Sequence, residues 1–198
     1  AGRRQVRAVC GLAGCPHAAQ SGAGAFDGSE GAVGHQARMS ITLSPPQPLL
    51  AEHRLGGFSC GEPSLDDWLR RRALLNQTTG ASRTFVVVDD LGQVRAYYAL
   101  AAGAVSHQES PGSIRRNMPD PIPVLILARL AVDRRAQGIK LGAGLLQDAV
   151  NRAGSVAENA GVRALVVHAL NEKAREFYEY YGFSISPIHP LTLMLRLN

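Results

Sequence analysis

Residues 124–150 read VLILARLAVDRRAQGIKLGAGLLQDAV, and three pieces follow one another in this stretch. Residues 124–132 are apolar and rich in strand-forming side chains, which predicts a buried strand. Residues 133–141 form a polar turn holding Gln137, Gly138 and Lys140. From Gly142 onward Leu145, Leu146, Ala149 and Val150 fall on one helical face, with Gln147, Asp148 and Asn151 opposite. A strand, a glycine-bearing turn and a helix N-terminus together make an anion site. The free N–H groups of the first helical turn and the positive end of the helix dipole converge on one place.

A turn of this kind can serve a mononucleotide, a dinucleotide or coenzyme A. The dinucleotide fingerprint G-x-G-x-x-G and the P-loop pattern G-x-x-x-x-G-K-[ST] are both missing from it. Residues 137–142, QGIKLG, resemble motif A of the GNAT N-acetyltransferases, Q/R-x-x-G-x-G/A followed by a helix. One position departs: Lys140 stands where that family has its first glycine.

The whole chain sets outer bounds. At 198 residues it suits one domain with a sizeable core, with room for a tail. No run reaches the roughly 18–20 consecutive apolar residues of a membrane span. The net charge of +5 comes almost entirely from arginine, since Lys140 and Lys173 are the lysines. A basic, arginine-rich surface fits a polyanionic partner, although genomic base composition favours arginine equally. Three cysteines make no disulfide framework, which points to a reducing cytoplasm. Cys10 and Cys15 have no partners at zinc spacing, so no metal is expected.

Residues 1–38 are rich in Gly, Ala and Ser and lack a sustained period, so a poorly ordered extension is expected. Met39 opens a normal-looking domain over 39–198 and is the expected natural start. Residues 41–48 read as extended. Ser64 with Asp67 is a capping-box-like pair opening a helix over 65–75, with Leu65, Trp68 and Leu69 on one face and Asp66 elsewhere. Residues 83–89 and 93–105 form a hairpin about Asp90-Leu91-Gly92. A loop over 106–121 leads to the central strand. A helix over 141–160 is closed by Gly161, and a strand spans 162–169. A helix over 171–181 is ended by Gly182, and short strands at 183–185 and 191–197 finish the chain. Strands alternating with helices after residue 120 imply a parallel or mixed α/β sheet flanked by helices.

A second motif lies in the last third. Asn171, Ala174, Phe177, Tyr178, Gly182 and Phe183 spell N-x-x-A-x-x-F-Y-x-x-x-G-F, which resembles motif B of the GNAT enzymes at its usual distance after motif A. Further pieces extend the likeness: Phe58-x-Cys60-Gly61 before Leu65-Asp66-x-Trp68-Leu69, then SRTFV at 82–86, then LARLAVD at 127–133. Together, over 49–197, they resemble the GNAT toxins of bacterial type II toxin–antitoxin modules. That resemblance implies a GNAT fold. It implies acetyl transfer from acetyl-CoA to the α-amino group of aminoacyl-tRNA, which blocks translation. It also implies a homodimer, and a ribbon–helix–helix antitoxin through which operator DNA is bound.

The same resemblance assigns roles. Gln137, Gly138, Ile139, Lys140, Leu141, Gly142 and Ala143 would hold the pyrophosphate through backbone N–H groups. Leu130, Ala131 and Val132 would hold the pantetheine arm by strand-like hydrogen bonds, and Asn171 would contact coenzyme A. Tyr178 is the candidate general acid: a phenol with pKa of about 10 is protonated at neutral pH and can donate to a thiolate. No residue declares itself as general base; His168 and Asp133 read as structural. This favours an α-amine, neutral at roughly the ten per cent level at pH 7, over a lysine amine. Arg83, Arg115, Arg116 and Arg129 are candidate tRNA contacts, with Arg134 and Arg135 behind them. A GNAT acting on a small amine or a protein N-terminus stays open. So does a weakly active GNAT serving as a regulatory subunit with its antitoxin.

Overall fold

The computed structural model describes residues 42–197. The expected extension over 1–38 and the expected start at Met39 lie outside the described residues. The elements are β1 (Gln47–Pro48), α1 (Pro63–Arg71), α2 (Ala73–Thr78), β2 (Arg83–Val88), β3 (Val94–Val105), α3 (Gly112–Arg115) and β4 (Ile122–Val132). After a 3-10 turn at Arg134–Ala136 come α4 (Leu141–Asn159), β5 (Ala164–His168), α5 (Glu172–Tyr180), β6 (Ser184–Ile185) and β7 (Thr192–Arg196). The seven strands form one mixed sheet in the order β1-β2-β3-β4-β5-β7-β6.

The feature that makes a site is where β4 and β5 part. They pair in parallel only from Val124↔Ala164 to Leu127↔Val167, and β4 runs on to Val132 with β3 as its partner. Beside Leu127, β3 steps from Ala99↔Arg129 to Leu100↔Leu127, so Ala128 is an extra residue that bulges β4. The strand therefore bends away from β5 and opens a cleft whose β4 edge lacks a β5 neighbour.

Period-two alternation divides the core between the two faces. Tyr98, Leu100, Leu127, Leu165 and Val167 pack with Leu145, Leu146, Ala149 and Ala153 of α4 and with Tyr178 of α5. On the other face Tyr97, Val86 and Val94 pack with Phe58, Leu69 and Ala73 of the α1–α2 layer. Ala164, Val166 and Met194 pack under Ile114 of α3. Inside the first layer Tyr98 donates its O–H to Asp148, which also accepts from Arg152 Nε at 2.8 Å.

Four local expectations are corrected. The helix over 65–75 breaks in two at Arg72, whose φ of −122° and ψ of −30° fall outside the helix basin. Its cap position is Glu62 rather than Ser64, because Pro63 occupies the first helical position, where its fixed φ suits the helix and its missing N–H costs nothing. Ser64 Oγ donates to Glu62 Oε1 at 3.0 Å, and Asp67 pairs with Arg70 instead of closing a capping box. Asp66 is not on the open face: it is buried and accepts the Cys60 N–H at 2.9 Å. The loop over 106–121 contains α3. The end of α4 is where it is expected, with Ala160 as its cap in extended geometry and Gly161 in the position after it. Gly182 behaves as expected, ending α5 at a φ of +88°.

Candidate active site

Two cavities lie along the free part of β4. The first, about 130 Å³, is walled by Val132, the turn residues Gln137, Gly138, Lys140, Leu141, Gly142 and Ala143, and Phe177 of α5. The second, about 300 Å³, holds Ser64, Leu65, Arg129, Leu130, His168, Asn171, Ala174 and Tyr178. Leu130 and Val132, two residues apart on one face of β4, line the larger and the smaller cavity in turn, and Tyr178 and Phe177 of α5 are divided the same way. The backbone of residues 130–132 thus runs between the turn and Tyr178.

The turn is built for close backbone approach. Gly138 has a φ of +83° and nothing within 4 Å of where a Cβ would stand. Lys140 has a φ of +64°, the left-handed conformation that glycine adopts freely and L-residues adopt at a cost. Lys140 is also the cap of α4, and its carbonyl accepts the N–H groups of Ala143 and Gly144 at 3.1 and 3.2 Å. Helix geometry then directs the N–H groups of Leu141 and Gly142 out of the end of a 19-residue helix. Gln137 fixes the turn from beneath, its Nε2 donating to the carbonyls of Val132 at 2.9 Å and Cys60 at 3.1 Å. Ile139 is 63% exposed at the tip. A pyrophosphate fits this end: neutral amides, a helix dipole and a glycine-like backbone all favour an anion. The Cβ of Lys140 is the one feature that works against close approach.

Asn171 is the cap of α5, its Oδ1 accepting the Ala174 N–H at 2.9 Å. The steps of three and four from Asn171 to Ala174 to Tyr178 place all three on one helical face, and all three line the larger cavity. The N-x-x-A-x-x-F-Y motif therefore has a geometric meaning: the cap sets where the helix starts, and two turns later Tyr178 arrives in the cleft. Tyr178 is only 7% exposed, and burial pushes its phenol above the ordinary tyrosine value. Its ring is gripped by Phe177 at 5.1 Å and Phe183 at 5.5 Å between centroids.

Among the described residues no carboxylate lines the cavity of Tyr178. His168 is at its edge, with Nδ1 3.0 Å from Thr192 Oγ1. Asp133 is buried below the turn. Burial alone would raise its pKa, but hydrogen bonds from the Arg135 side chain and from the N–H groups of Ser59 and Arg135 outweigh that and lower it. Asp133 holds structure, as the sequence implies.

The candidate tRNA arginines separate. Arg129 is in the cavity of Tyr178, its guanidinium 5.6 Å from the centroid of Trp68. Arg83 pairs with Leu100, and Arg129 pairs with the adjacent Ala99, so the two side chains leave opposite faces of the sheet. Arg83 borders a different cavity, with Phe85 and Arg152, and donates to the Gln77 carbonyl at 2.9 Å. Arg115 and Arg116 belong to α3 and its cap, and Arg135 is spent on Asp133 at 2.8 Å. Sequence reasoning missed Ser64, Leu65 and Leu170 as walls of the cavity. Ser64 and Leu65 reach it across the sheet from α1, a placement that no local pattern carries.

Residues 80–185 match the model of the acetyltransferase (GNAT) domain. The chain belongs to the GNAT acetyltransferase family and is an acetyl-CoA-dependent acyltransferase. A tRNA-acetylating toxin of Mycobacterium tuberculosis (strain H37Rv) is 53% identical over 155 residues, covering 78% of this chain and 93% of that protein. Among solved structures, AtaT complexed with acetyl-methionyl-tRNAfMet superposes with a TM-score of 0.73 at 29% identity, covering 78% of this chain and 95% of that one. A mutant AtaT toxin bound to the C-terminus of the antitoxin AtaR and to acetyl-CoA gives 0.68 at 28%, covering 78% and 93%.

Proposed function

We propose that this protein is the toxin of a type II toxin–antitoxin pair, transferring acetyl from acetyl-CoA to the α-amino group of aminoacyl-tRNA and so blocking translation. The observation that carries the reading is the path along β4 from the anion-binding turn to Tyr178, in a chain 53% identical to a tRNA-acetylating toxin. The N–H groups of the turn up to Leu141 and Gly142 hold the pyrophosphate, with the Ala143 N–H given to the Lys140 carbonyl instead; the β4 edge at residues 130–132 holds the pantetheine arm, and Asn171 flanks it. The amine nitrogen forms its bond to the thioester carbonyl carbon, and the C–S bond breaks. Tyr178 donates its proton to the departing sulfur; the proton lost by the amine goes to solvent. A cavity without a carboxylate base suits an amine that is already partly neutral near pH 7. Arg129, on the cavity wall, meets the RNA end.

A homodimer, a ribbon–helix–helix antitoxin, operator DNA bound through that antitoxin and a cytoplasmic location complete the proposal. No helix of the described residues is long and apolar enough to cross a membrane. The test is incubation with labelled acetyl-CoA and a charged total-tRNA pool. Label in the aminoacyl ester fraction is the expected result. Label appearing only in small amines or protein N-termini sinks the tRNA assignment.

A further inference from the structure

His168 uses only one of its two ring nitrogens for structure. It is the last residue of β5 and pairs with Thr192, the first of β7, so both side chains leave the same face of the sheet. Its Nδ1 lies 3.0 Å from Thr192 Oγ1. Thr192 is itself pinned: its N–H donates to the His189 carbonyl at 3.0 Å, and its carbonyl accepts the Ser186 N–H at 2.8 Å. The ring is thereby held at one end. Nε2 has no hydrogen-bond partner among the described residues. His168 is exposed and borders the cavity that holds Tyr178 and Arg129.

A carboxylate stands by outside that cavity. Glu109, in the loop before α3, accepts the N–H and the Oγ–H of Ser106 at 2.7 Å each. Those hydrogen bonds first, and then the charges of His189 and His168, lower its pKa against the effect of burial. Its carboxylate also lies 3.7 Å from His189 Nε2. Glu109 is therefore ionised at neutral pH and supplies a counter-charge near His168 without lining the cavity. Arg129 of β4 is the like charge on the cavity wall, and Tyr178 of α5, which burial keeps protonated, adds none.

Acetyl transfer needs a neutral amine, and most of an α-amine is ammonium at pH 7. An imidazole of pKa about 6.5 takes a proton from an α-ammonium of pKa about 8 against a roughly thirtyfold equilibrium. From a lysine ammonium near 10.4 the same step is opposed by about 10⁴-fold. A weak base of this kind serves an α-amine and fails a lysine.

We propose that His168 Nε2 accepts the proton of the substrate's α-ammonium, with Thr192 as the positioning residue that holds the ring. This rests on the aminoacyl-tRNA reading above and supplies the first carrier on the proton's way to solvent. With the ring proton on Nδ1, donated to Thr192 Oγ1, Nε2 presents its lone pair to the cavity. An N–H bond of the ammonium breaks, an Nε2–H bond forms, and the electron pair left on the amine attacks the thioester carbon. The imidazolium, open to water, releases the proton before the next turnover.

The test is kcat/KM for aminoacyl-tRNA from about pH 6.5 to 8.5 in wild type, His168→Ala and Thr192→Val. The ammonium outnumbers the amine about tenfold at pH 7, so His168→Ala is expected to lose about tenfold there. The loss is expected to shrink to about twofold near pH 8.5, and added imidazole is expected to recover much of it at pH 7. Thr192→Val, which frees the ring without removing it, is expected to lose about threefold. Melting temperature and acetyl-CoA affinity stay unchanged in His168→Ala. Long-range nitrogen–proton NMR spectra of the wild type read the tautomer independently of activity, with the proton expected on Nδ1. Full activity in His168→Ala overturns the proposal. So does a loss that is equal at every pH and indifferent to imidazole, and so does a neutral ring that carries its proton on Nε2. Wild-type protein that acetylates a peptide N-terminus but no aminoacyl-tRNA sinks the tRNA reading alone; the same pH comparison on that peptide then decides the role of His168.

Discussion

The carboxylate of Asp133 accepts a hydrogen bond from the backbone N–H of Ser59 at 3.0 Å, across 74 residues of chain. The Ser59 carbonyl in turn accepts the N–H of Arg134 at 2.9 Å. The next residue repeats the pattern: the Cys60 N–H goes to Asp66 of α1, and the Cys60 carbonyl takes Gln137 of the turn. Residues 58–61 therefore fasten the wall of the acceptor cavity to the anion-binding turn. The Asp133 side chain is 1% exposed and also lies 3.8 Å from Arg95. Asp133→Asn leaves cationic donors facing a neutral amide and is expected to cost about 2–4 kcal/mol. In a domain of this size that lowers the melting temperature by roughly 5–12 °C. Asp67→Asn, which disturbs only the exposed pair with Arg70, serves as the scanning-calorimetry control and moves it little.

The pH dependence of stability follows from the same carboxylate. Asp133, Asp89 and Glu109 all have lowered pKa values. A carboxylate with a depressed folded-state pKa contributes stability that is complete above its ordinary value of about 4 and is lost as pH falls below that. Denaturant midpoints are expected to be flat from pH 5 to 7 on this account and to fall steeply below about pH 4. In Asp133→Asn the acid-side fall is shallower.

Tyr178→Phe removes one hydroxyl and keeps the ring that Phe177 and Phe183 grip. If the phenol protonates the departing thiolate, turnover falls by ~10²-fold or more while acetyl-CoA affinity and melting temperature stay put. Because burial raises the Tyr178 pKa, the wild-type enzyme keeps its acid through pH 10. Full activity in the Phe variant removes Tyr178 from the mechanism.

What could be read beforehand was what repeats locally. The strand, turn and helix over 124–150 and the Asn171–Tyr178 spacing are short-range patterns, and each survives with its boundaries moved by a residue or two. What could not be read depends on partners far away in sequence. Arg83 and Arg129 both look like strand arginines, and only the register about Ala99 and Leu100 sends them to opposite faces. The Ala128 bulge that opens the cleft has no glycine or proline to announce it. Asp66 resembles a solvated helix residue until Cys60 is placed above it.

That division of the arginines makes a kinetic prediction. Arg129→Ala removes a cation from the cavity of Tyr178 and frees the Trp68 face, so KM for aminoacyl-tRNA is expected to rise by about tenfold or more. Arg83→Ala, on the other face, is expected to change it by less than about threefold. Steady-state kinetics at fixed acetyl-CoA, below 100 mM salt, compare the two. A larger effect at Arg83 would place the RNA on the Phe85–Arg152 side.

Lys140 is where the chain leaves its family while its backbone stays in it. The φ of +64° is the one a glycine would take, and an L-residue there costs on the order of 1 kcal/mol. A Cβ at the mouth of the turn also holds a phosphate away from the N–H groups of Leu141 and Gly142. Against this, an ammonium close to a pyrophosphate is attractive, and a surface charge of this kind contributes about 1 kcal/mol or less. The steric and conformational costs act together, so they prevail. Lys140→Gly is expected to raise the melting temperature by about 2–4 °C through relief of the left-handed strain. It is also expected to tighten acetyl-CoA binding several-fold and to raise turnover and toxicity with it. Calorimetric titration of the two proteins with acetyl-CoA decides the matter. A Gly variant that is more stable but binds more weakly shows that the lysine side chain reaches the phosphate and that its charge outweighs its bulk.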